Sequence, residues 1–275
     1  MKREYAGKKF FCAVISHKRP ENIPHIFATV GPCTFYVNEG ERKAYLECLI
    51  SFKIRNCEVK ECHSNICHAR NQAIVDASRL KLPCIQVSDD LKGIKQVALL
   101  ANGKRIQNDI KFEQAVDILL GEMERTCFLY GGVAVSSNAL NYNGTNFSYD
   151  KLIVNDLICI RSGSVGRNMI KHEAPLFDEN IPLKEDYDMS LGQLINCGGV
   201  VRCDSILCNF PHRENKGGAN TYRTPKEEAA MTLRLKKKWG AFIKDNPKRP
   251  GQVLLNYPLL RKAISELRNR QRQKH

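Results

Sequence analysis

The stretch Cys84-Ile85-Gln86-Val87-Ser88-Asp89-Asp90 decides how this chain folds. Its first four residues predict a buried strand, and two adjacent carboxylates follow almost at once. A strand that ends in carboxylates presents them at the mouth of a sheet, where hard oxygen ligands can hold Mg²⁺ or Mn²⁺. We therefore expect a binding site at this end of the strand.

A second acidic pair, Glu185-Asp186, follows about a hundred residues later. The pair falls in the first turn of a helix predicted over residues 185–195, where carboxylates complement the positive end of the helix dipole. If both acidic pairs share one cleft, a carboxylate of the second pair could act as a general base. Capping of the helix by the same two acids is the alternative interpretation.

Short apolar runs alternate with helical patterns along the chain, which predicts an α/β fold of Rossmann type. We expect a mostly parallel sheet, sandwiched by helices, that binds ligands outside the carboxyl ends of its strands. Strands are predicted at residues 9–16, 34–37, 57–60, 84–87, 128–136, 152–161 and 200–208. Helices are predicted at 41–50, 65–80, 112–123, 185–195 and 225–239, with a short helical region beyond Pro250.

The formal net charge of +14 and the pI near 9.3 point to a polyanionic partner. The charge concentrates near the C-terminus, and the candidates for nucleic-acid contact there are Lys236, Lys237, Lys238, Arg268, Arg270 and Arg272. A solvated tail that keeps the protein soluble is the alternative.

Twelve cysteines are spread through the chain, several inside strand-like runs, so we expect reduced thiols rather than a disulfide framework. No apolar run approaches the roughly eighteen residues of a membrane span, and no secretory signal is predicted at the start. We therefore predict a cytoplasmic protein without a membrane partner. The cluster Cys62, His63, Cys67 and His68 lacks paired CxxC spacing, so packing roles are favoured there over zinc.

The motifs together resemble GT-A glycosyltransferases over roughly 200 residues. The resemblance rests on Ala69-Arg70-Asn71, on the strand ending in Asp89-Asp90, on Glu185-Asp186 and on a late histidine, His212. The pattern is most similar to the phage TET/JBP-associated glycosyltransferases, relatives of base J glucosyltransferase, which glycosylate hydroxymethylated pyrimidines in DNA. Further support comes from Val37 with Glu41 and Tyr45, from Lys184 to Asp188 and from Asn215-Lys216-Gly217-Gly218; Leu91 departs from the pattern, because an acid often stands there.

The resemblance implies a GT-A-like domain over residues 1–224, with a donor-binding half over about 1–110 and an acceptor half over 111–224, followed by a basic helical C-terminal extension over 225–275. It implies metal-dependent transfer of a sugar from a nucleotide-sugar such as a UDP-sugar to a 5-hydroxymethylpyrimidine in DNA, with inverting direct displacement as the expected course. The host cytoplasm would be the location if the protein is encoded by a phage.

The same resemblance assigns roles to individual residues. Asp90 and His212 would hold Mn²⁺ or Mg²⁺, Asp186 would be the general base and Glu185 would bind the acceptor. The donor would be bound by Ser16, His17, Arg19, Arg70, Asn71, Asp89, Lys216 and Gly217.

Ordinary structural roles are the alternatives for several of these residues. Arg70 could form an ordinary ion pair, His212 could be a loop histidine and Lys216 could lie in an exposed turn. A transferase with a non-DNA acceptor and a non-catalytic nucleic-acid-binding module are the competing functions.

Overall fold

A computed structural model of the protein describes residues 1–63, 65–134, 138–165, 170–210, 218–221, 223–249 and 251–273. The helices are α1 (Ile23–Val30), α2 (Arg42–Ser51), α3 (Ile66–Arg79), α4 (Phe112–Thr126), α5 (Glu185–Asn196), α6 (Pro225–Trp239) and α7 (Tyr257–Gln273). The strands are β1 (Lys2–Tyr5), β2 (Lys8–Ile15), β3 (Thr34–Asn38), β4 (Glu58–Cys62), β5 (Cys84–Ser88), β6 (Gly93–Leu99), β7 (Arg105–Asp109), β8 (Tyr130–Val133), β9 (Phe147–Ser148), β10 (Leu157–Ile160), β11 (Gly163–Val165), β12 (Ile170–His172), β13 (Val201–Cys203), β14 (Ile206–Asn209), β15 (Ile243–Asp245) and β16 (Val253–Leu255).

The central sheet has nine strands in the order β4-β3-β2-β5-β10-β8-β13-β9, with β1 paired to β2. The strands β2, β3, β4, β5, β8 and β13 run in one direction, whereas β1, β9 and β10 run in the other. Helices flank the sheet on both faces. The predicted α/β class and mostly parallel, Rossmann-like sheet are thus confirmed.

Two hydrophobic cores lie on opposite faces of this sheet, because successive strand side chains point to opposite sides. Along β2 the residues alternate between them: Phe10, Cys12 and Val14 belong to one core, and Phe11, Ala13 and Ile15 belong to the other. Helices α1, α2 and α4 cover the first core, and α3, α5, α6 and α7 cover the second. Each fully buried large apolar side chain stabilises the fold by about 1.5–3 kcal/mol.

Local sequence explains where the helices that frame the site begin. Asn65 caps α3 by accepting a hydrogen bond from the Cys67 N–H at 2.8 Å. Thr224 caps α6 in the same way through the Glu227 N–H at 3.1 Å, and Pro225 occupies the first helical position. The predicted helices over 41–50, 65–80, 112–123, 185–195 and 225–239 correspond to α2 through α6.

The prediction of one strand over residues 200–208 was wrong. The chain forms β13 in the central sheet, turns at Asp204 and Ser205, and forms β14 in a separate three-stranded sheet of order β14-β6-β7. Asp204 fixes the turn, since its carboxylate accepts from Ser148 Oγ and from Arg202 Nε. Polar turn residues thus interrupt an otherwise continuous apolar run.

Two other strand predictions were too long. The run 152–161 forms a strand only at β10, because Asn155 and Asp156 precede it in irregular backbone. Within its described part, residues 128–134, the run 128–136 forms β8 only at Tyr130–Val133. No element was predicted at residues 23–30 or 93–109, where the structure has α1 and the β6–β7 hairpin.

The C-terminal segment packs onto the second core. Leu235 of α6, together with Leu260 and Ile264 of α7, is buried among residues of α3, α5 and the sheet. Among the described residues, no helix is both long enough and apolar enough to cross a membrane.

Candidate active site

The candidate site begins at the carboxyl ends of β2 and β5, which are adjacent parallel strands. From β2 the chain proceeds to β3 and β4 on one side, whereas β5 lies on the other side, so the strand order reverses between β2 and β5. Open α/β sheets bind ligands in the crevice at such a switch point. Ser16 directly follows β2 and Asp89 directly follows β5, which places both side chains in that crevice.

A buried polar network joins these two strand ends. Asp89 Oδ2 accepts a hydrogen bond from Ser16 Oγ at 2.5 Å, and its Oδ1 lies 2.8 Å from Arg19 Nη1. The Tyr45 hydroxyl lies 2.5 Å from Ser16 Oγ and accepts from the Arg19 N–H at 3.1 Å. Arg19 Nη1 also lies 3.5 Å from Asp90 Oδ2, so one guanidinium faces both carboxylates of the doublet.

The two aspartates of the doublet have different environments. Only 2% of Asp89 is exposed, and burial raises the pKa of its carboxyl to about 6, although the Arg19 charge acts in the opposite direction. The Asp90 side chain is 12% exposed and borders the crevice. Asp89 therefore organises the protein, while Asp90 is the carboxylate better placed to meet a ligand.

His17 is held on three sides at the same edge of the sheet. Its Nδ1 lies 2.6 Å from Glu41 Oε1 and 2.8 Å from Asn38 Nδ2, and its Nε2 lies 3.0 Å from Thr221 Oγ1. The ring thus connects the ends of β2 and β3 with the short 3-10 helix at Gly218–Thr221.

Residues 211–217 lie outside the part of the chain that the structure describes. That segment includes the predicted metal ligand His212 and the predicted donor-binding residues Lys216 and Gly217. Its flanks are described, and both lie at the crevice. The Lys92 N–H donates to Asn209 O at 2.9 Å, and the Gly218 N–H donates to His17 O at 3.0 Å.

Arg70 of α3 connects β5 to the second acidic pair. Its Nη1 donates to Gln86 Oε1 at 3.1 Å, its Nη2 donates to Asn155 O at 3.0 Å, and the same Nη2 lies 4.0 Å from Glu185 Oε1. The guanidinium also lies 5.5 Å from the centre of the Phe177 ring. Among the described residues, its buried Nε has no hydrogen-bond partner, so this site retains a donor for a ligand or water.

Asn71 is fully occupied with structural contacts. Its Nδ2 donates to Phe177 O and to Glu179 Oε1, both at 3.0 Å, and its Oδ1 accepts from the Phe177 N–H at 2.7 Å. The side chain therefore holds the segment that precedes α5 rather than facing the crevice.

Glu185 and Asp186 lie at the start of α5 and are half-buried. Burial raises the pKa of Asp186 to about 7, and the neighbouring Glu185 charge adds to this shift. Burial also raises the pKa of Glu185, although the Arg70 charge counteracts it. A carboxyl that titrates near neutrality can take up and release a proton under cellular conditions.

The two acidic pairs flank the same short segment. The Ser88 N–H donates to Asp156 O at 2.8 Å, directly before Asp89 in the chain. The Asp156 charge contributes to the raised pKa of Asp186, and the neighbouring Asn155 carbonyl accepts from Arg70. Asn155 and Asp156 had no predicted role, and only their polarity before an apolar strand marked them.

A metal site at Asp90 stays a prediction. Within the described ranges, no three His, Cys, Asp or Glu side chains come together as a metal-binding group. Asp90 supplies a carboxylate oxygen of the kind that Mg²⁺ and Mn²⁺ prefer, and the second predicted ligand, His212, falls in the undescribed segment.

The basic residues predicted to contact nucleic acid have unequal surroundings. Lys238 lies 2.8 Å from both Asp178 Oδ2 and Asp188 Oδ1, and Lys236 lies 2.5 Å from Asp245 Oδ1. Lys237 is exposed on the same turn of α6. The cations at 236–238 lie in the last turn of α6, where their positive charge stabilises the helix.

On α7, two of the predicted arginines can be compared directly. Arg268 Nη2 donates to Gly198 O at 2.8 Å, whereas Arg270 is 75% exposed and lies 4.0 Å from Glu266. The Arg272 side chain lies outside the described residues.

No known protein family and no curated protein matches this chain in sequence.

Proposed function

We propose that the protein is a metal-dependent glycosyltransferase of GT-A type that moves a sugar from a nucleotide-sugar to a 5-hydroxymethylpyrimidine in DNA. One observation carries the proposal: Ser16, Arg19 and Asp89 form a buried network at the switch point between β2 and β5. Nucleotides bind at this place in open α/β sheets.

The donor nucleotide would occupy the crevice above these strand ends. Asp89, which accepts a hydrogen bond from Ser16, holds Arg19 in place, and the guanidinium of Arg19 supplies positive charge at the mouth of the sheet. His17 lies at the rim, and Lys216 with Gly217 would approach the diphosphate from a segment whose flanks lie at the crevice.

Asp90 fits the role of a metal ligand, because its carboxylate is a hard oxygen donor at the crevice. His212 and the phosphate oxygens of the donor would complete the coordination. The bound divalent ion would supply Lewis-acid neutralisation of the diphosphate leaving group.

Asp186 is the proposed general base. Its pKa of about 7 leaves a substantial fraction ionised at neutral pH while keeping the carboxylate basic enough to accept a hydroxyl proton. Glu185 would orient the acceptor hydroxyl, and Arg70 keeps Glu185 beside the donor half of the chain.

The net charge of +14 supports a nucleic-acid acceptor. The exposed cations Lys237 and Arg270 lie on the C-terminal helices, and their charge would attract the phosphate backbone without reading base identity.

The decisive experiment incubates the protein and Mn²⁺ with a panel of labelled nucleotide-sugars and three DNAs. The DNAs contain 5-hydroxymethylcytosine, 5-hydroxymethyluracil or only unmodified bases, and nucleoside mass spectrometry identifies the product. Sugar on one hydroxymethylated base alone is the expected result. Donor binding without transfer to any DNA would redirect the proposal to another acceptor, and absence of a thermal shift with every donor would refute a transferase.

A further inference from the structure

Two thiols are in contact at the end of the central sheet opposite to the crevice. Cys33 Sγ lies 3.8 Å from Cys57 Sγ, although the two residues are 24 positions apart in the chain. Cys33 directly precedes β3 and Cys57 directly precedes β4, so the pair lies at the amino ends of these strands. All twelve cysteines belong to the described part of the chain and are free, and only these two thiols are in hydrogen-bonding contact with each other.

The backbone around these thiols has the spacing that a disulfide needs. The strands β3 and β4 are adjacent and parallel, and Thr34 is the register partner of Glu58. The Glu58 N–H donates to Cys33 O at 3.2 Å, which continues the ladder and sets Cys33 beside Cys57. Neighbouring strands lie about 4.8 Å apart, and disulfides join Cα atoms about 4.4–6.8 Å apart. Both side chains pack on the first core, so they lie on the same face of the sheet.

The two thiols differ in exposure and in acidity. Cys33 is fully buried, whereas Cys57 is half-buried and can be reached from solvent. The hydrogen bond from Cys33 is the largest cause that lowers the pKa of Cys57 to about 7, although burial acts in the opposite direction. Burial raises the pKa of Cys33 well above its ordinary value. Because the thiolate is the form that reacts with oxidants, Cys57 is the thiol that reacts first and Cys33 is its neutral neighbour.

We propose that Cys57 is a site of oxidation by hydroperoxides and that Cys33 converts the oxidised Cys57 into a disulfide. In the first step the Cys57 thiolate attacks one peroxide oxygen and the O–O bond breaks. The other oxygen leaves as hydroxide or alkoxide, and Cys57 becomes a sulfenic acid. In the second step the Cys33 sulfur attacks the Cys57 sulfur, the S–O bond breaks, and water leaves with the Cys33 proton. The two thiols lose two electrons, which the peroxide gains, and a thiol reductant reverses the change.

The disulfide closes a loop of the chain that contains β3 and α2. Tyr45 of α2 contacts Ser16 Oγ and accepts from the Arg19 N–H, and Glu41, which precedes the helix, lies 2.6 Å from His17 Nδ1. A cross-link restricts the unfolded chain and so stabilises the folded one. The oxidised protein therefore retains α2 and its contacts with the crevice under conditions that unfold the reduced protein. This inference is independent of the proposed function, since it requires neither a sugar donor nor an acceptor.

The test treats the reduced protein with a small excess of hydrogen peroxide and maps its cysteines by peptide mass spectrometry without reduction. We expect a linked pair of peptides that contain Cys33 and Cys57 and that dithiothreitol separates. Cys48→Ala is the matched control, because Cys48 is also half-buried and lies on α2, and this variant should form the same link. Absence of the link, or linkage of either thiol mainly to another cysteine, would overturn the proposal.

Cys33→Ala separates the two steps of the reaction. Without its partner Cys57 should stop at the sulfenic acid, which dimedone traps. At about pH 8.5, where an ordinary thiol is half ionised, dimedone labelling of Cys57 should exceed that of the wild type at least about tenfold. Equal labelling of the two proteins would show that Cys33 does not attack the oxidised Cys57, and the proposal would be wrong.

The melting temperature gives a second, independent measurement that does not require Cys33→Ala to fold. Without reductant, the oxidised wild type should melt about 5–10 °C above the reduced protein. Cys57→Ala removes a half-buried thiol and should melt at the same temperature before and after peroxide treatment. A wild type whose melting temperature does not rise on oxidation, or a Cys57→Ala variant with the same rise, would refute the stabilising cross-link.

Discussion

Arg70 Nη2 lies 4.0 Å from Glu185 Oε1, so a side chain of α3 is paired with the first residue of α5 across the candidate site. Only 5% of Arg70 is exposed, and its other bonds reach Gln86 and Asn155. Breaking a buried pair on one side leaves an uncompensated charge.

Arg70→Met should therefore be strongly destabilising, by about 3–5 kcal/mol in the free energy of unfolding. The Arg70→Met/Glu185→Gln double variant should recover about 0.5–3 kcal/mol of that loss, which denaturant unfolding of all four proteins would measure. Arg79→Met on the same helix is the control, since Arg79 is mostly exposed. A coupling energy of zero would show that Arg70 and Glu185 lie close together without stabilising each other.

Asp90→Asn and Asp186→Asn should separate two functions. Loss of the Asp90 carboxylate should abolish the Mn²⁺-dependent part of donor binding, measured by calorimetry. Asp186→Asn should leave donor affinity unchanged and lower turnover by about 10²- to 10⁴-fold. Equal loss of donor affinity in both variants would contradict this division.

The raised pKa of Asp186 predicts a pH dependence of stability. Its pKa of about 7 lies above the ordinary value of 3.8, so the folded protein holds a proton that the unfolded chain releases. The stability that the folded protein gains from this bound proton is fully present below the unfolded pKa of Asp186, 3.8, and it is lost as the pH rises through about 7. Asp186→Asn, which stays neutral, should exceed the wild type in melting temperature by a few degrees at high pH and not at low pH. A difference that is constant between acidic and basic buffer would contradict the assignment.

Stability should fall as the pH rises through about 7, whereas the rate of sugar transfer should rise. The general base must be ionised, so the transfer rate should rise with pH through about 7. A rate profile that is flat across neutrality would exclude Asp186 as the base in the rate-limiting step.

Cys57 should react faster than Cys48, and both thiols are half-buried. A hydrogen bond from Cys33, whose Sγ lies 3.8 Å away, is the largest cause that lowers the pKa of Cys57 to about 7. Burial raises the pKa of Cys48, which is the matched control. Iodoacetamide at neutral pH, followed by peptide mass spectrometry, should label Cys57 before Cys48. Cys33→Ala should slow the labelling of Cys57 about tenfold, and an unchanged rate would show that Cys33 has no such influence.

Replacement of Lys238 should destabilise the protein more than replacement of its neighbour Lys237. Lys238 contacts Asp178 and the buried Asp188, to which Trp239 Nε1 also donates at 2.7 Å. Lys238→Met should lower the free energy of unfolding by about 1 kcal/mol, since the lysine is partly exposed to solvent. Lys237→Met should change it by less than about 0.5 kcal/mol and should reduce the salt dependence of DNA binding instead.

Sequence periodicity predicted most of the layered fold, because the spacing of apolar residues along the chain reflects which side chains are buried. Residues 84–88 include the apolar Cys84, Ile85 and Val87, are flanked by a proline and an acidic pair, and form the strand β5. The hairpin of β6 and β7 was missed, since only Ile94 and Val97 of β6 are buried and they do not alternate with exposed residues as in a regular half-buried strand. The turn at Asp204 was missed because apolar residues on both sides concealed a change of sheet.

The candidate site was predictable in part for the same reason. Ligands bind outside the carboxyl ends of strands in an α/β sheet, so Asp89 and Asp90 were expected at that edge, whereas Ser16 was named only through the resemblance. The role of Arg70 as a bridge to Glu185 depends on Asn155 and on the reversed strand β10, and neither follows from local sequence. Long-range geometry of this kind appears only when the whole sheet is assembled.

Gly218 has a consequence for engineering the crevice at the carboxyl ends of β2 and β5. Its φ is +60°, and a Cβ at this position would come within 2.7 Å of Arg19 Nη2. Any side chain there would displace the guanidinium that Asp89 holds. A combinatorial library aimed at the neighbouring residues 211–217 should therefore keep this glycine constant, because variants at 218 would lose the architecture of the crevice before any new substrate could be selected.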